Sequence, residues 1–397
     1  MTAIDADRTL LRLFLRELVK TKSPTNARRL QIREQQYPWA SETREEEPER
    51  EGIPDGWIFN DDGWCVFIES KVLIPLTAKQ ILTHRHSAKR RGFRVVTAVA
   101  IVAHRPTLRF EDVVLLEWRD VYSWLCRHRS RSEWAARAAD FLEIMEAKLI
   151  GTKQFKEGSL TKFSGIPFGH KYPYAYLEAK RVLALALEEL RSRRDLKTKL
   201  GMNPNVLGRS AITGSQSDTV WNFLSLSSAR DADNFTKYPH LTLGITSSSA
   251  EVMVTVPNAV SGGIKRNLKD LDEDGFQDMV EEIVQNMTPL LRRHPGVTPW
   301  FRGVQRRYRS QRATPYIDAR IDFDLRTAIR SGGPPKTQPN WLSAAYGSFV
   351  KKRGSNYQIQ IGAIFRYDRC PELRSADAIG LLANTWLACK PLINLMR

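Results

Sequence analysis

Three ionisable residues stand where an apolar hairpin would want none. In IPDGWIFNDDGWCVFIESKV, Ile53 to Val72, two strand-like runs flank a polar turn and carry Asp55, Glu69 and Lys71. Side chains alternate faces along a strand, so Glu69 and Lys71, two apart, share a face with Cys65 and Phe67. Whether Asp55 joins them depends on the turn. A two-residue loop of Asp61 and Asp62 sets Asp55 opposite Ile68, pointing away from Glu69. A three-residue loop, Asp61-Asp62-Gly63, sets Asn60 opposite Trp64 and Asp55 opposite Glu69. Gly63 suits the left-handed residue that closes such a loop, so the second register is expected. Facing carboxylates repel unless something positive lies between them, and the candidates are a divalent metal and the Lys71 ammonium. Paired carboxylates around Mg²⁺ or Mn²⁺ with a lysine alongside are suited to hydrolysing a phosphodiester. Hard oxygens hold the ion, the ion acidifies water, and the lysine orients that water or neutralises the transition state.

The order of these residues is Pro54-Asp55, thirteen residues, then Glu69-Ser70-Lys71. This pattern resembles the PD-(D/E)xK nuclease superfamily of restriction-endonuclease-like and Holliday-resolvase-like enzymes, over roughly Arg29 to Leu125. The resemblance implies that Asp55 and Glu69 are metal ligands, that Ser70 lends its backbone carbonyl, and that Lys71 is catalytic. It also implies auxiliary roles for an upstream acid, best matched by Glu34 in LQIRE, and for a helical glutamine, Gln80. Many subfamilies carry a tyrosine four residues after that glutamine. Here the position is His84, one turn on and on the same helix face.

The bare E-x-K pattern recurs as Glu146-Ala147-Lys148 and Glu178-Ala179-Lys180. Both repeats lie in helical patterns, where residues two apart do not share a face, so they serve as internal controls. Only the first copy follows an apolar strand, faces a proline-aspartate on a partner strand and precedes a glutamine helix. The competing reading is a set of solvated charges at a sheet edge.

Several elements must position these residues. An amphipathic helix is expected from Asp7 to Lys20, and a short strand at Leu30 to Glu34. The charged, proline-interrupted run Ser41 to Glu51 is expected as an exposed loop. After the hairpin, Thr77 and Gly92 bracket a helix. Val95 to Ala103 reads as a strand buried on both faces, followed by a strand in VVLLEWRD. Asp120 is placed to cap a helix from Val121, and a longer helix closes near Gly151. The expected architecture is α/β, a restriction-endonuclease-like mixed sheet flanked by helices, over residues 1–150. Residues 151–173 read as a linker and 174–397 as a basic α+β domain. That domain is expected to hold a helix from Tyr174 to Arg194, the hairpin HLTLGIT…EVMVTVP, a helix from Phe276 to Arg293, strands in YIDARIDFDL and NYQIQIGAIFRYD, and a final helix from Asp377 to Met396.

Charge separates the two parts. The first 150 residues carry 25 Lys/Arg against 22 Asp/Glu, the remainder 36 against 22, within a net charge of +17. The basic excess therefore lies outside the hairpin. In RRHPGVTPWFRGVQRRYRSQR, Arg302, Arg306, Arg307 and Arg309 interleave with Trp300 and Tyr308, a composition suited to phosphate contact and base stacking. The alternatives are a solubilising surface or a dock for an acidic partner protein, and the nuclease-like pattern of the first part favours nucleic acid. On the helix after the catalytic strand, His84, Arg90 and Arg91 are candidates for guiding a phosphate backbone. DLDEDGFQDMVE, Asp270 to Glu281, fits the calcium-loop expression. It is better explained by acids at a helix start, because SGGIKRNLK makes a poor incoming helix.

The four cysteines, Cys65, Cys126, Cys370 and Cys389, form no C-x-x-C pair that could hold zinc or act as a redox couple, and a reduced, cytoplasmic protein fits best. His104, His128, His170, His240 and His294 are scattered and read as structural or exposed. No apolar run is long enough to span a membrane. Together these readings predict a cytoplasmic nuclease dependent on Mg²⁺ or Mn²⁺. DNA is the expected substrate, in a setting that resembles prokaryotic restriction or anti-phage defence, and a homodimer fits two-strand cleavage. The alternatives are an RNA nuclease with the same site, or a non-catalytic tether on a degenerate nuclease fold.

Overall fold

A computed structural model describes residues 1–21, 27–38, 53–106, 110–152, 155–170, 172–206, 218–226, 237–257, 260, 263–307, 309, 316–328, 338, 340–351 and 357–396. The chain divides into two compact units, Met1–Lys162 and Phe163–Arg397. Ser41–Glu51 and Tyr308 lie outside the described residues.

The first unit is built on a five-stranded mixed sheet in chain order: β1 (Gln31–Glu34), β2 (Gly56–Phe59), β3 (Trp64–Lys71), β4 (Val95–Val102) and β5 (Val113–Glu117). The first two junctions are antiparallel and the last two parallel. Its helices are α1 (Thr2–Ala6), α2 (Arg8–Leu13), α3 (Ala78–Arg90), α4 (Trp118–His128) and α5 (Glu133–Gly151). Ile58, Val66, Ile68, Val99 and Ile101 face one core, shared with Leu10, Leu11, Val121, Trp124 and Ala139 of α2, α4 and α5. Trp57, Phe59, Cys65, Phe67, Ala98 and Ala100 face the other, closed by Ile81 and Ala88 of α3 and by Phe93. Burial on both sides explains why β3 is apolar up to Glu69 and β4 is apolar but for Thr97. Phe67 is fully buried, so Phe67→Ala is expected to cost about 3–5 kcal/mol.

Two helix starts differ from expectation. The N-terminal helix is split at Asp7, whose Oδ1 accepts from Thr9 N and Leu10 N and caps α2. A π-helical turn, Phe14–Val19, then ends at Lys20 in the left-handed region. Helix α4 begins at Trp118 rather than Val121. Asp120 sits inside it and reaches back to accept from Glu117 N.

The second unit carries a six-stranded antiparallel sheet: β6 (Thr219–Ser225), β7 (His240–Thr246), β8 (Ser249–Val256), β9 (Val297–Arg307), β10 (Tyr316–Asp324) and β11 (Tyr357–Arg366), ordered β10-β9-β11-β8-β7-β6. Its helices are α6 (Tyr176–Ser192), α7 (Arg194–Leu200), α8 (Gly263–Asp270), α9 (Asp272–Arg293), α10 (Asn340–Lys351), α11 (Ala378–Ala388) and α12 (Lys390–Asn394). Leu241, Leu243, Val252, Val254, Phe301, Ile361 and Ala363 share one core with Val182, Ala186, Val280, Ile283, Leu382 and Trp386 of α6, α9 and α11. Of the stretch expected as a linker, Phe163, Ile166 and Phe168 are buried in this core. The last helix breaks at Cys389, with Pro391 in the first turn of α12. SGGIKRNLK does supply a helix, α8, and α9 starts two residues after it, inside the supposed calcium loop. Asp272 Oδ1 accepts from Gly275 N at 2.8 Å, a first-turn contact and not a metal loop. Among the described residues, no helix is long and apolar enough to cross a membrane.

Candidate active site

The β2–β3 hairpin adopts the three-residue loop. Gly56 lies opposite Ile68 and Phe59 opposite Cys65, Asn60 N donates to Trp64 O at 3.1 Å, and Gly63 has φ of 82°. Asn60 Oδ1 accepts from Asp62 N and Trp64 N, tying the turn to the strand end. Counting outward sets Asp55 opposite Glu69 and Pro54 opposite Ser70. In an antiparallel ladder hydrogen-bonded pairs alternate with non-bonded ones. Asn60–Trp64 is a bonded pair, so the series runs 58–66, 56–68 and then 54–70. Pro54 has no N–H, and the ladder stops there. Ser70 is claimed by a side chain instead: Asp55 Oδ2 accepts from Ser70 N at 2.7 Å and from Ser70 Oγ at 2.9 Å. The N–H and C=O of one strand residue point to the same side. The Ser70 carbonyl therefore faces the Asp55 side without a proline donor.

Glu69 is the centre of a second cluster. It is 4 % exposed, and its oxygens are shared among three donors. Lys71 Nζ lies 2.6 Å from Oε1, Gln80 Nε2 donates to Oε1 at 3.4 Å, and His84 Nε2 lies 3.0 Å from Oε2. Lys71 reaches it because residues two apart on β3 share a face. Gln80 and His84 reach it because residues four apart on α3 share a face. The start of α3 fixes that face. Thr77 Oγ1 accepts from Gln80 N while Thr77 N and Oγ1 donate to Gln80 Oε1, which leaves the Gln80 amide nitrogen turned to Glu69. His84 is 2 % exposed and stands edge-on to Phe67, with ring centroids 5.7 Å apart. Burial pushes the Glu69 carboxyl pKa up, but hydrogen bonds from His84 and Lys71 and the charges of Lys71 and His84 outweigh it. The net shift is below the ordinary carboxylate value. Glu69 is held ionised in a nearly dry position.

This donor set suits a hard dication. Asp55 and Glu69 offer carboxylate oxygens, Ser70 offers a carbonyl freed by Pro54, and no described residue donates to Asp55 Oδ1. Ser70 has a further part that the sequence did not announce, since its hydroxyl and amide orient Asp55.

Other expected residues are placed elsewhere. Glu34 pairs with Gly56 on the ladder. A side chain at Gly56 would meet Met1, so that face looks away from Glu69. Glu34 is 49 % exposed there, with Thr2 Oγ1 at 3.3 Å and the Met1 amino group at 3.8 Å. His84, a candidate phosphate guide, is instead buried on Glu69, because the Gln80 face of α3 packs against the sheet. Arg90 is exposed, while Arg91 lies over the Tyr37 ring at 3.9 Å and donates to Pro38 O.

The basic stretch of the second unit forms β9, flanked by β10 and β11. Arg302 is not available to phosphate. It reaches across β11 to grip both oxygens of Glu251, at 2.6 and 3.0 Å, and bonds Asp322 at 2.8 Å. Trp300 Nε1 also donates to Asp322, and Arg306 to Gln358 Oε1. Arg307 pairs with Asp318 but stays 73 % exposed, and the exposed Arg309 lies 5.0 Å from the Tyr316 ring centroid. Alternation was the overlooked signal: within the stretch, Val297, Phe301 and Gly303 share the inward face.

The controls behave as helix residues. Glu146 is buried on α5, accepting from Leu160 N at 2.7 Å, from Thr161 N at 3.2 Å and from the Thr161 hydroxyl. Glu178 pairs with Arg181 on α6. Comparison of the chain with protein-family models, with curated proteins and with solved structures finds no match, so the Asp55–Glu69–Lys71 geometry itself is what bears on function.

Proposed function

We propose that the first unit is a nuclease of restriction-endonuclease-like fold that hydrolyses phosphodiester bonds in DNA with Mg²⁺ or Mn²⁺. The observation that carries this reading is Glu69. A buried, ionised carboxylate meets Lys71, Gln80 and His84 one residue from the point where Asp55 takes over the broken ladder. Asp55, Glu69 and the Ser70 carbonyl would hold the ion. When bound, it supplies positive charge to the phosphate and acidifies water. Gln80 and His84 keep the Glu69 carboxylate in place while its other neighbour moves. Lys71 is that neighbour: its ammonium sits on a flexible four-carbon stem, and leaving Glu69 brings a cation to the oxygens that gain charge in the transition state. Ser70 keeps Asp55 from rotating away. Prokaryotic restriction or anti-phage defence in the cytoplasm is the setting suggested by the family resemblance, with a homodimer able to cut both strands.

The test is cleavage of plasmid, linear duplex, single-stranded DNA and RNA in Mg²⁺ or Mn²⁺ by the full chain, Glu69→Ala and Lys71→Ala. Loss of DNA cleavage in both variants is expected. Cleavage that survives both removes the site assignment, and preferential RNA cleavage moves the substrate to RNA. Wild-type protein that binds nucleic acid but cuts nothing supports the tether reading. We further propose that Arg306, Arg307 and Arg309 give the second unit its hold on nucleic acid. Joint replacement by alanine then weakens binding and flattens its salt dependence. Unchanged affinity with loss of a protein partner reassigns the surface to docking.

A further inference from the structure

A separate cluster of donors lies in the second unit. His294 caps the C-terminus of helix α9, and the turn after β11 carries Cys370 and Glu372. One ligand atom from each of these residues lies within 4.8 Å of the others. His294 Nδ1 is 3.2 Å from Glu372 Oε1, and Cys370 Sγ is 3.4 Å from Glu372 Oε2. Bonds of about 2.0–2.3 Å to a tetrahedral ion set its ligand atoms about 3.3–3.7 Å apart; His294 and Cys370 each come near that spacing from one oxygen of the Glu372 carboxylate.

His294 Nδ1 is shielded from solvent, and its described polar neighbour is Glu372 Oε1. Cys370 Sγ is buried, whereas Glu372 is 41 % exposed and leaves an entry path. The backbone that carries the donors is fixed. A side chain on Gly296 would collide with Arg369 O at 2.2 Å, so only glycine lets the two turns approach this closely. Arg366 N also donates to Gly296 O across the same contact. The spacing His294…Cys370-Pro371-Glu372 is not a familiar zinc pattern, and only the fold brings its two halves together.

We propose that His294, Cys370 and Glu372 form a binding site for a borderline dication of the zinc class, with a fourth position open to water or a ligand. Thiolate and carboxylate together cancel a charge of two, and imidazole completes three protein ligands of mixed softness, a set that disfavours Mg²⁺. On binding, the thiol proton leaves to solvent and the imidazole proton resides on Nε2. The site is independent of the Asp55–Glu69 centre in both donors and metal preference.

The test uses the full chain stripped with chelator, then titrated with Zn²⁺ against a chromogenic competitor and, separately, with Co²⁺. We expect one Zn²⁺ per chain and a near-ultraviolet thiolate-to-cobalt charge-transfer band in wild type, Glu69→Ala and Cys126→Ser. Cys370→Ser should lose the band and weaken Zn²⁺ binding by more than about 100-fold, beyond the loss typical of an outer-shell change. Glu372→Gln, at a partly exposed position, should weaken it by about 10-fold or more. Absence of the band in wild-type protein overturns the proposal without any variant. So does Zn²⁺ affinity unchanged in Cys370→Ser and Glu372→Gln.

Discussion

Glu69 and Glu146 begin the same three-letter pattern, and both are buried, yet they are answered by different kinds of donor. On β3 the residue two positions on shares a face, so Lys71 comes to 2.6 Å of Glu69, with His84 and Gln80 completing the set. On α5 Lys148 is exposed and does not meet Glu146, whose oxygens are taken by two backbone N–H groups and the Thr161 hydroxyl. Backbone donors cannot withdraw without unfolding their loop, whereas an ammonium on a flexible stem can. The first carboxylate therefore has a donor that can leave it, and the second is a fastening for residues 160–161.

The comparison breaks most sharply in activity. Glu69→Ala should lower the DNA cleavage rate by about 10³-fold or more, while Glu146→Ala leaves the rate of the folded protein unchanged. Equal losses in plasmid-nicking assays would erase the distinction. The next effect is on stability. Glu146→Ala leaves two N–H groups and a hydroxyl without their acceptor, at about 1–3 kcal/mol for each buried group left unpaired. Its urea midpoint should fall well below that of Glu146→Gln, which keeps an acceptor.

Acid gives a third test, of Glu69 itself. The folded Glu69 pKa is depressed below 4.5, so Glu69 contributes stability above the unfolded value, and this is lost as pH falls through the folded pKa. The stability advantage of wild type over Glu69→Gln should shrink as pH falls below the ordinary carboxylate value of 4.5. Chemical denaturation at several pH values measures it, and a gap that widens in acid contradicts the assigned ionisation. The smallest effect is at Thr77. Removing its capping box with Thr77→Ala should cost about 1 kcal/mol, with kcat reduced far less than by Glu69→Ala because Gln80 is loosened but not lost.

The hairpin was legible because its determinants are local. Asp61-Asp62-Gly63 dictates the loop, the loop dictates the register, and the register fixes which residues face each other. The Thr77 cap and the shared face of Gln80 and His84 were legible for the same reason. Which group His84 touches was not, since that depends on how α3 lies across β3. Glu34 has the right neighbour in sequence but the wrong parity, opposite Gly56 rather than Asp55. The basic stretch misled through composition. Its arginines suggested an open surface, while acids distant in sequence, Glu251 and Asp322, claim Arg302 once the six strands assemble. Strand β6 and helices α7 and α8 carry too few local signals to stand out, and they are secured by the large core of the second unit.

Pro54 has an effect on how this hairpin can fail. A two-residue slip that kept side chains on their proper faces would bring Pro54 opposite Ile68, where the ladder demands an amide the residue does not have. A one-residue slip would turn either Trp57 and Phe59 or Cys65 and Phe67 out of their core. The residue that opens the gap beside Ser70 thus also proofreads the pairing: a misaligned chain loses hydrogen bonds before it can mature, and Asp55 reaches its mark only in the correctly threaded product.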